Sequence, residues 1–227
     1  MKNYLTLPFF TPVLALCTWL LFAGVILLFF PQMVPSITDD GQAIDLITIG
    51  LYVIMFLTFM KFFKDFKQEK KFTDYFIFLF LAAAALLREL GIQHWLASKD
   101  TTAFKMRFYT NPNNPLSEKI IAILITLVLI IALGYLAIKY GKHLFTSFFK
   151  KNTMTWSIAT LCVIGIAGKV IDRIPGNYRK WTGTPLNEHL AGIMEVWEET
   201  SEALLPLITI IILWQYHILI QTNSEEK

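Results

Sequence analysis

The chain has 227 residues, of which 55% are hydrophobic and 16% are charged, with a formal net charge of +3. A soluble domain of this length does not contain several apolar runs of membrane-spanning length, so the composition argues against a soluble protein. The basic residues gather next to apolar runs, which favours membrane lipids and excludes nucleic acid as their partner.

Six apolar runs have about the length that crosses a ~30 Å hydrocarbon layer. They are residues 9–30, 43–60, 75–95, 120–138, 155–171 and 192–220. The first run is long and lacks a small-residue cleavage pattern, so we interpret it as a retained helix. No linker or repeat divides the chain. The sequence therefore predicts an all-α polytopic membrane protein, a single domain over residues 1–227 with six transmembrane helices.

The distribution of basic residues predicts the orientation of these helices. The loop over residues 31–42 contains Asp39 and Asp40 but no lysine or arginine. Lysines follow the second and fourth runs instead: Lys61, Lys64, Lys67, Lys70, Lys71, Lys139, Lys142, Lys150 and Lys151. By the positive-inside rule both termini are cytoplasmic, in a bacterial inner membrane. The phenylalanines among the first lysines, Phe62, Phe63, Phe66 and Phe72, are expected to dip into the membrane interface.

Turn-forming residues predict several helix ends. Ser117 is an expected N-cap for the fourth helix, after a long external loop over residues 97–117. Pro175 and Gly176 are expected to end the fifth helix. Thr184 and Pro185 then predict the start of a last helix that runs to about Gln221. The two cysteines, Cys17 and Cys162, are interpreted as small core residues because their positions suit neither a disulfide nor a metal site.

The last helix carries a stripe of carboxylates. Glu188, Glu195, Glu199 and Glu202 are separated by seven, four and three residues, so they share one helix face. A membrane helix rarely holds such a stripe unless the acids face protein, water or a cation. The sequence therefore predicts a polar site at one membrane surface.

Opposite charges occur in two other helices at the same predicted, external side. Arg88 and Glu89 lie in the third helix, and Lys169, Asp172 and Arg173 lie in the fifth. Because ionic groups at membrane depth are costly, we expect Arg88, Lys169 and Arg173 to pair with the glutamates. This predicts a charged pocket between the third, fifth and sixth helices that faces the periplasm.

The first functional hypothesis is an enzyme that acts on a lipid or polyprenyl-phosphate head group. The candidate catalytic residues are Glu195, Glu199, Glu202, Glu89 and His94. The candidate substrate-binding residues are Arg88, Lys169, Asp172, Arg173, Arg107 and Arg179. A divalent cation is a compatible cofactor, because carboxylates suit Mg, Ca or Mn and an added histidine suits Zn or Fe. No known catalytic sequence motif accompanies these residues.

Two alternatives remain open. The charged residues can form a structural ion-pair network in an assembly protein, whose external loops would then engage a protein partner. The glutamate stripe can also be the path of a cation- or proton-coupled transporter. The sequence gives less support to a transporter because the charges occupy only one half of the predicted membrane depth and no inverted repeat is present.

Overall fold

The computed structural model describes residue 5 and residues 7–34, 43–91 and 106–225. Every long regular element in this part of the chain is a helix, which confirms the predicted all-α class. The helices are α1 Phe10–Phe29, α2 Ala43–Lys61, α3 Phe63–Gln68, α4 Phe72–Glu89, α5 Met106–Thr110, α6 Leu116–Phe149, α7 Thr153–Thr182 and α8 Glu188–Glu225.

Five helices of the described chain are long and apolar enough to cross a membrane, namely α1, α2, α6, α7 and α8. They are compatible with a multi-pass membrane protein. The predicted third span overlaps α4, whose 18 residues include Asp74, Arg88 and Glu89. The last residues of that span, 92–95, lie outside the described residues. A count of six spans and the cytoplasmic position of both termini therefore stay predictions.

Helix α7 is longer than predicted. The expectation that Pro175 and Gly176 end it is wrong, because α7 passes through both residues and ends at Thr182. A proline removes one backbone donor from a helix, and here the following turns remain helical despite this loss. The end comes at Gly183, whose left-handed φ of 75° favours glycine and whose N–H bonds to the Arg179 carbonyl.

Two helix starts also differ from prediction. Helix α8 begins at Glu188, after the residue Asn187, rather than at Thr184 and Pro185. The Asn187 side chain accepts a 2.9 Å hydrogen bond from the His189 N–H, which is the N-cap geometry that asparagine favours. Helix α6 begins at Leu116, so Ser117 lies inside it rather than at its cap.

The described residues form two compact units, one within Met1–Phe62 and Ser147–Lys227 and the other within Phe63–Thr146. In the first unit, α8 is central and packs against α7, α2 and α1. Two buried apolar clusters hold these helices together: Ala15, Ile164, Leu204 and Ile208, and Ala23, Ile26, Val34, Ile44 and Val196.

Polar side chains tie α1 to α8 in the first unit. The indole N–H of Trp19 donates to the Trp197 carbonyl at 3.2 Å and to the Thr200 hydroxyl at 3.1 Å. At the other end of α1, the Gln215 amide donates to the Thr11 hydroxyl at 3.1 Å. Such bonds add to packing between membrane helices, where lipid competes with apolar contacts and weakens the hydrophobic driving force.

Two of the four phenylalanines among the first group of lysines, Phe62 and Phe66, face protein. Phe66 is buried in the second unit, where its ring lies 5.4 Å from that of Tyr75. Phe62 is buried in the first unit, 5.0 Å from the ring of Trp214. The expectation that these two phenylalanines dip into the membrane interface is therefore wrong, because helical neighbours already cover both rings.

Candidate functional site

Lys169 of α7 lies against two carboxylates of α8. Its Nζ is 2.7 Å from Oε1 of Glu202 and 3.5 Å from Oε1 of Glu198. The Glu202 side chain is 9% exposed, whereas that of Lys169 is 49% exposed. One ammonium therefore contacts two acids, and about half of the lysine side chain remains accessible.

Close packing of the two helix backbones brings these charges together. Gly168 precedes Lys169 and Ser201 precedes Glu202, the two residues of the 2.7 Å ion pair. Both Gly168 and Ser201 are buried, and they face each other. A Cβ atom at Gly168 would overlap the Ser201 hydroxyl and lie 3.3 Å from its Cβ. The Ser201 hydroxyl in turn donates to the Glu198 carbonyl at 2.7 Å. Small residues at a helix contact permit this approach.

A second cation lies one helical turn beyond Lys169. Arg173 has its Nε 3.8 Å from Oδ2 of Asp172, and its side chain is 76% exposed. Arg179 lies in the last turn of α7 and is exposed. The C-terminal half of α7 thus carries four cations, Lys169, Arg173, Arg179 and Lys180, and Lys169 contacts α8.

The remaining glutamates of the predicted stripe differ in exposure. Glu188 is exposed, and Glu195 and Glu199 are half-buried. Glu198, which flanks the predicted stripe, contacts Lys169 and joins Glu202 at the site. In the portion of the chain that the structure describes, no group of three histidine, cysteine, aspartate or glutamate side chains is arranged to hold a metal ion.

The candidate residues of other segments stay predictions. Arg88 and Glu89 lie in α4, where their side chains form a 3.7 Å ion pair, and both belong to the second unit. His94 lies outside the described residues. Arg107 lies in the short helix α5, and its side chain is outside the described part of the structure.

A groove of about 1110 Å³ runs along the surface of α7 beside Lys169. Its lining is mostly apolar, and Lys169 and Arg173 are its charged residues. A stripe of α7 residues at spacings of three and four forms its length: Cys162, Ile166, Lys169, Arg173, Asn177 and Trp181. Cys162 is exposed in this groove and Cys17 is exposed on α1, so the interpretation of both as core residues is wrong.

The sequence reasoning missed a second ionic cluster, which lies within the second unit. Asp74 of α4 is completely buried and accepts hydrogen bonds at 2.7 and 2.9 Å from Lys139 and at 3.0 Å from the Tyr135 hydroxyl. The Tyr140 hydroxyl donates to the same carboxylate. Burial by itself raises the pKa of Asp74, but the hydrogen bonds from Lys139, Tyr140 and Tyr135 outweigh it and lower this pKa below its ordinary value.

The spacing of Tyr135 and Lys139 was a signal of this cluster, because residues four apart on a helix share a face. Its other half, Asp74, lies at the start of another helix, and no sequence pattern links the two.

No protein-family model, no curated protein and no solved structure matches this chain.

Proposed function

We propose that this chain is a multi-pass protein of the bacterial inner membrane that binds the anionic head group of a lipid or polyprenyl phosphate in the groove of α7. The observation that carries the proposal is the position of two cations, Lys169 and Arg173, in an otherwise apolar groove of about 1110 Å³. A phosphate that carries an apolar chain matches this lining, because its charge pairs with the cations and its chain covers the apolar wall.

Accessibility of the two cations supports the proposal. The Lys169 side chain is 49% exposed despite its contacts with Glu202 and Glu198, and Arg173 is 76% exposed. Arginine binds phosphate through two parallel N–H donors, and lysine binds it as a point charge. By the predicted topology this site faces the periplasm, where it meets the head groups of the outer leaflet.

An enzymatic role of the same site would use the α8 carboxylates. Glu202 and Glu198 contact the lysine that also borders the groove, so either one is placed to accept a proton from water or from a hydroxyl group near a bound phosphate. Glu195 and Glu199 lie on the same helix and are half-buried. Acid–base chemistry here requires the phosphate to sit at Lys169.

Native mass spectrometry of the detergent-purified protein tests binding. We expect retention of phosphatidylglycerol over phosphatidylcholine of the same chain length. The double variant Lys169→Gln with Arg173→Gln should weaken that retention roughly 10- to 100-fold, because a hydrogen bond to a charged group contributes about 1.5–3 kcal/mol. Lys64→Gln with Lys67→Gln is the matched control, since it removes two charges from α3 and leaves the groove intact.

Equal retention of both lipids by the wild-type protein would overturn the proposal. A turnover assay on the same lipids, with Glu202→Gln as the inactive variant, tests the enzymatic role separately. If the Lys169/Arg173 double variant loses lipid retention and the wild-type protein shows no turnover, the groove binds lipid without an enzymatic role.

A structural ion-pair network is the second candidate, and one observation favours it. The Lys169–Glu202 pair lies directly beside the close contact of Gly168 and Ser201, where it can fix the register of α7 on α8. In that case the Lys169→Gln variant loses stability rather than lipid. A thermal unfolding curve recorded beside the lipid measurement distinguishes the two roles.

A further inference from the structure

The two ends of the α7 groove differ in chemistry, and this difference specifies the ligand further. The lining residues from Cys162 to Trp181 are 19 positions apart, which at 1.5 Å per residue corresponds to roughly 28 Å along the helix. Lys169 and Arg173 lie near the middle of this length. A ligand whose phosphate sits at the two cations therefore has room on both sides of its charge.

The end of the groove at Leu161 and Cys162, here called the inner end, suits an apolar chain. Its lining consists of Leu161, Cys162, Gly165, Ile166 and Leu205, none of which carries a charge or a strong hydrogen-bonding group. Gly165 has no side chain, and the nearest atom to a Cβ built there is a Leu205 methyl group at 3.7 Å. This end lies within the predicted span 155–171, at the depth of lipid chains.

The opposite end of the groove at Trp181, here called the outer end, suits a neutral, hydroxylated group. Beyond Arg173 the groove continues for two helical turns, about 12 Å, to Trp181. Asn177 supplies amide donors and an acceptor there, and Tyr178 supplies a hydroxyl group. Trp181 is 83% exposed, so its indole can cover the face of a ring or of a carbon chain bearing hydroxyl groups.

The charges of the groove disfavour a head group that carries an ammonium. Lys169 and Arg173 are the charged residues of the lining, and Arg173 lies one turn from Asn177, where its guanidinium repels an ammonium. Three carboxylates contact these two cations but are not lining residues of the groove: Glu198, Glu202 and Asp172. A simple phosphate monoester would reach the cations but would leave the two outer turns empty. A phosphodiester with a neutral head group fills all three parts of the groove.

We propose, resting on the proposed function, that the groove of α7 selects an anionic phosphodiester amphiphile with a neutral hydroxylated head group. Asn177, Tyr178 and Trp181 are the residues that determine this specificity. Two sources share this chemistry, namely the glycerol head group of a phospholipid and the sugar of a glycosylated polyprenyl phosphate.

Cys162 provides a native reporter of occupancy, because it is exposed at the inner end of the groove. The Cys17→Ser variant leaves Cys162 as the single cysteine of the chain. In detergent micelles we would measure the rate of its modification by a small apolar maleimide. The competitors are short-chain phosphatidylglycerol, phosphatidic acid and phosphatidylcholine with the same chains, and a glycosylated short-chain polyprenyl phosphate.

We expect phosphatidylglycerol or the glycosylated polyprenyl phosphate to protect Cys162 at a concentration roughly three- to tenfold lower than phosphatidic acid, the effect of one additional hydrogen bond. The more protective of these two identifies the source. In Asn177→Leu with Trp181→Leu the preference should vanish while phosphatidic acid still protects. Phe149→Leu, which changes an exposed aromatic residue of α6 outside the groove, should keep the preference and controls for interfacial anchoring.

Equal protection by phosphatidic acid in the otherwise wild-type protein would overturn this inference and leave the proposed lipid-binding function intact. Stronger protection by phosphatidylcholine would likewise overturn it, in favour of an ammonium held by the aromatic rings. Absence of protection by every anionic amphiphile would overturn both the inference and the proposed function.

Discussion

The two ionic clusters of this protein differ in how completely their charges are satisfied. Asp74 is buried, and three side chains, those of Lys139, Tyr135 and Tyr140, donate hydrogen bonds to its single carboxylate. At the other cluster a single cation, Lys169, contacts two glutamates and also borders the groove of α7. The first arrangement suits a structural tie, whereas in the second a half-exposed lysine borders a groove that a ligand can enter.

Exposure separates the two clusters in the same way. The carboxylate of Asp74 is 1% exposed, and the rings of Tyr135 and Tyr140 lie within cation–π distance of Lys139. The Lys169 side chain is 49% exposed and borders the groove of α7. Both clusters look alike in sequence, as a lysine and an acid within apolar helices, so local composition does not tell a structural ion pair from a candidate site.

The largest effect is expected at Asp74. Asp74→Ala removes the acceptor of three side chains and should lower the free energy of unfolding by about 3 kcal/mol, because breaking a buried pair leaves its partners uncompensated. Equilibrium unfolding of the micelle-bound protein in sodium dodecyl sulfate measures this. If Asp74→Ala instead removes lipid retention at unchanged stability, the Asp74 cluster is not a structural tie and does not differ from the Lys169 cluster in role.

Gly168→Ala is expected to have the next largest effect. The added methyl group overlaps the Ser201 hydroxyl and should cost about 1–3 kcal/mol of unfolding free energy, the usual range for overpacking. Ser201→Gly in the same chain should restore most of the loss. Gly165→Ala is the matched control, since its Cβ meets Leu205 at an ordinary 3.7 Å. An equal loss in both glycine variants would show that space at Ser201 is not the cause.

Tyr135→Phe removes one of the donors to Asp74 and keeps the ring. The expected loss is about 1 kcal/mol, because one net hydrogen bond disappears while Lys139 and Tyr140 still neutralise the acid. The same unfolding titration serves here. A loss as large as that of Asp74→Ala would show that the cluster acts as one cooperative unit.

Lys169→Gln should change stability least and lipid retention most. Its side chain is half exposed, so the ion pair with Glu202 contributes about 1 kcal/mol or less. Paired measurements of unfolding and phosphatidylglycerol retention decide the point. Should this variant lose as much stability as Gly168→Ala with retention unchanged, the Lys169 cluster is a structural tie like that of Asp74.

Much of the architecture was readable from the sequence. Five of the six predicted spans match long apolar helices within the described residues, because a run of about 20 apolar residues can satisfy its backbone only as a helix in lipid. Lys169 and Glu202 were also recognisable as charges that need compensation. The sequence-based prediction ended α7 at Pro175. It therefore did not place Asn177, Tyr178 and Trp181 on the same helix as Lys169 and Arg173, although α7 continues to Thr182.

The sequence by itself determined that the chain forms apolar helices and that some of them carry costly charges, because both follow from local composition and helical period. The tertiary structure alone decided which charges meet. Lys169 reaches Glu202 because Gly168 and Ser201 allow two backbones to approach, and Asp74 reaches Lys139 across 65 residues of chain. Such contacts depend on the packing of whole helices, which no local pattern encodes.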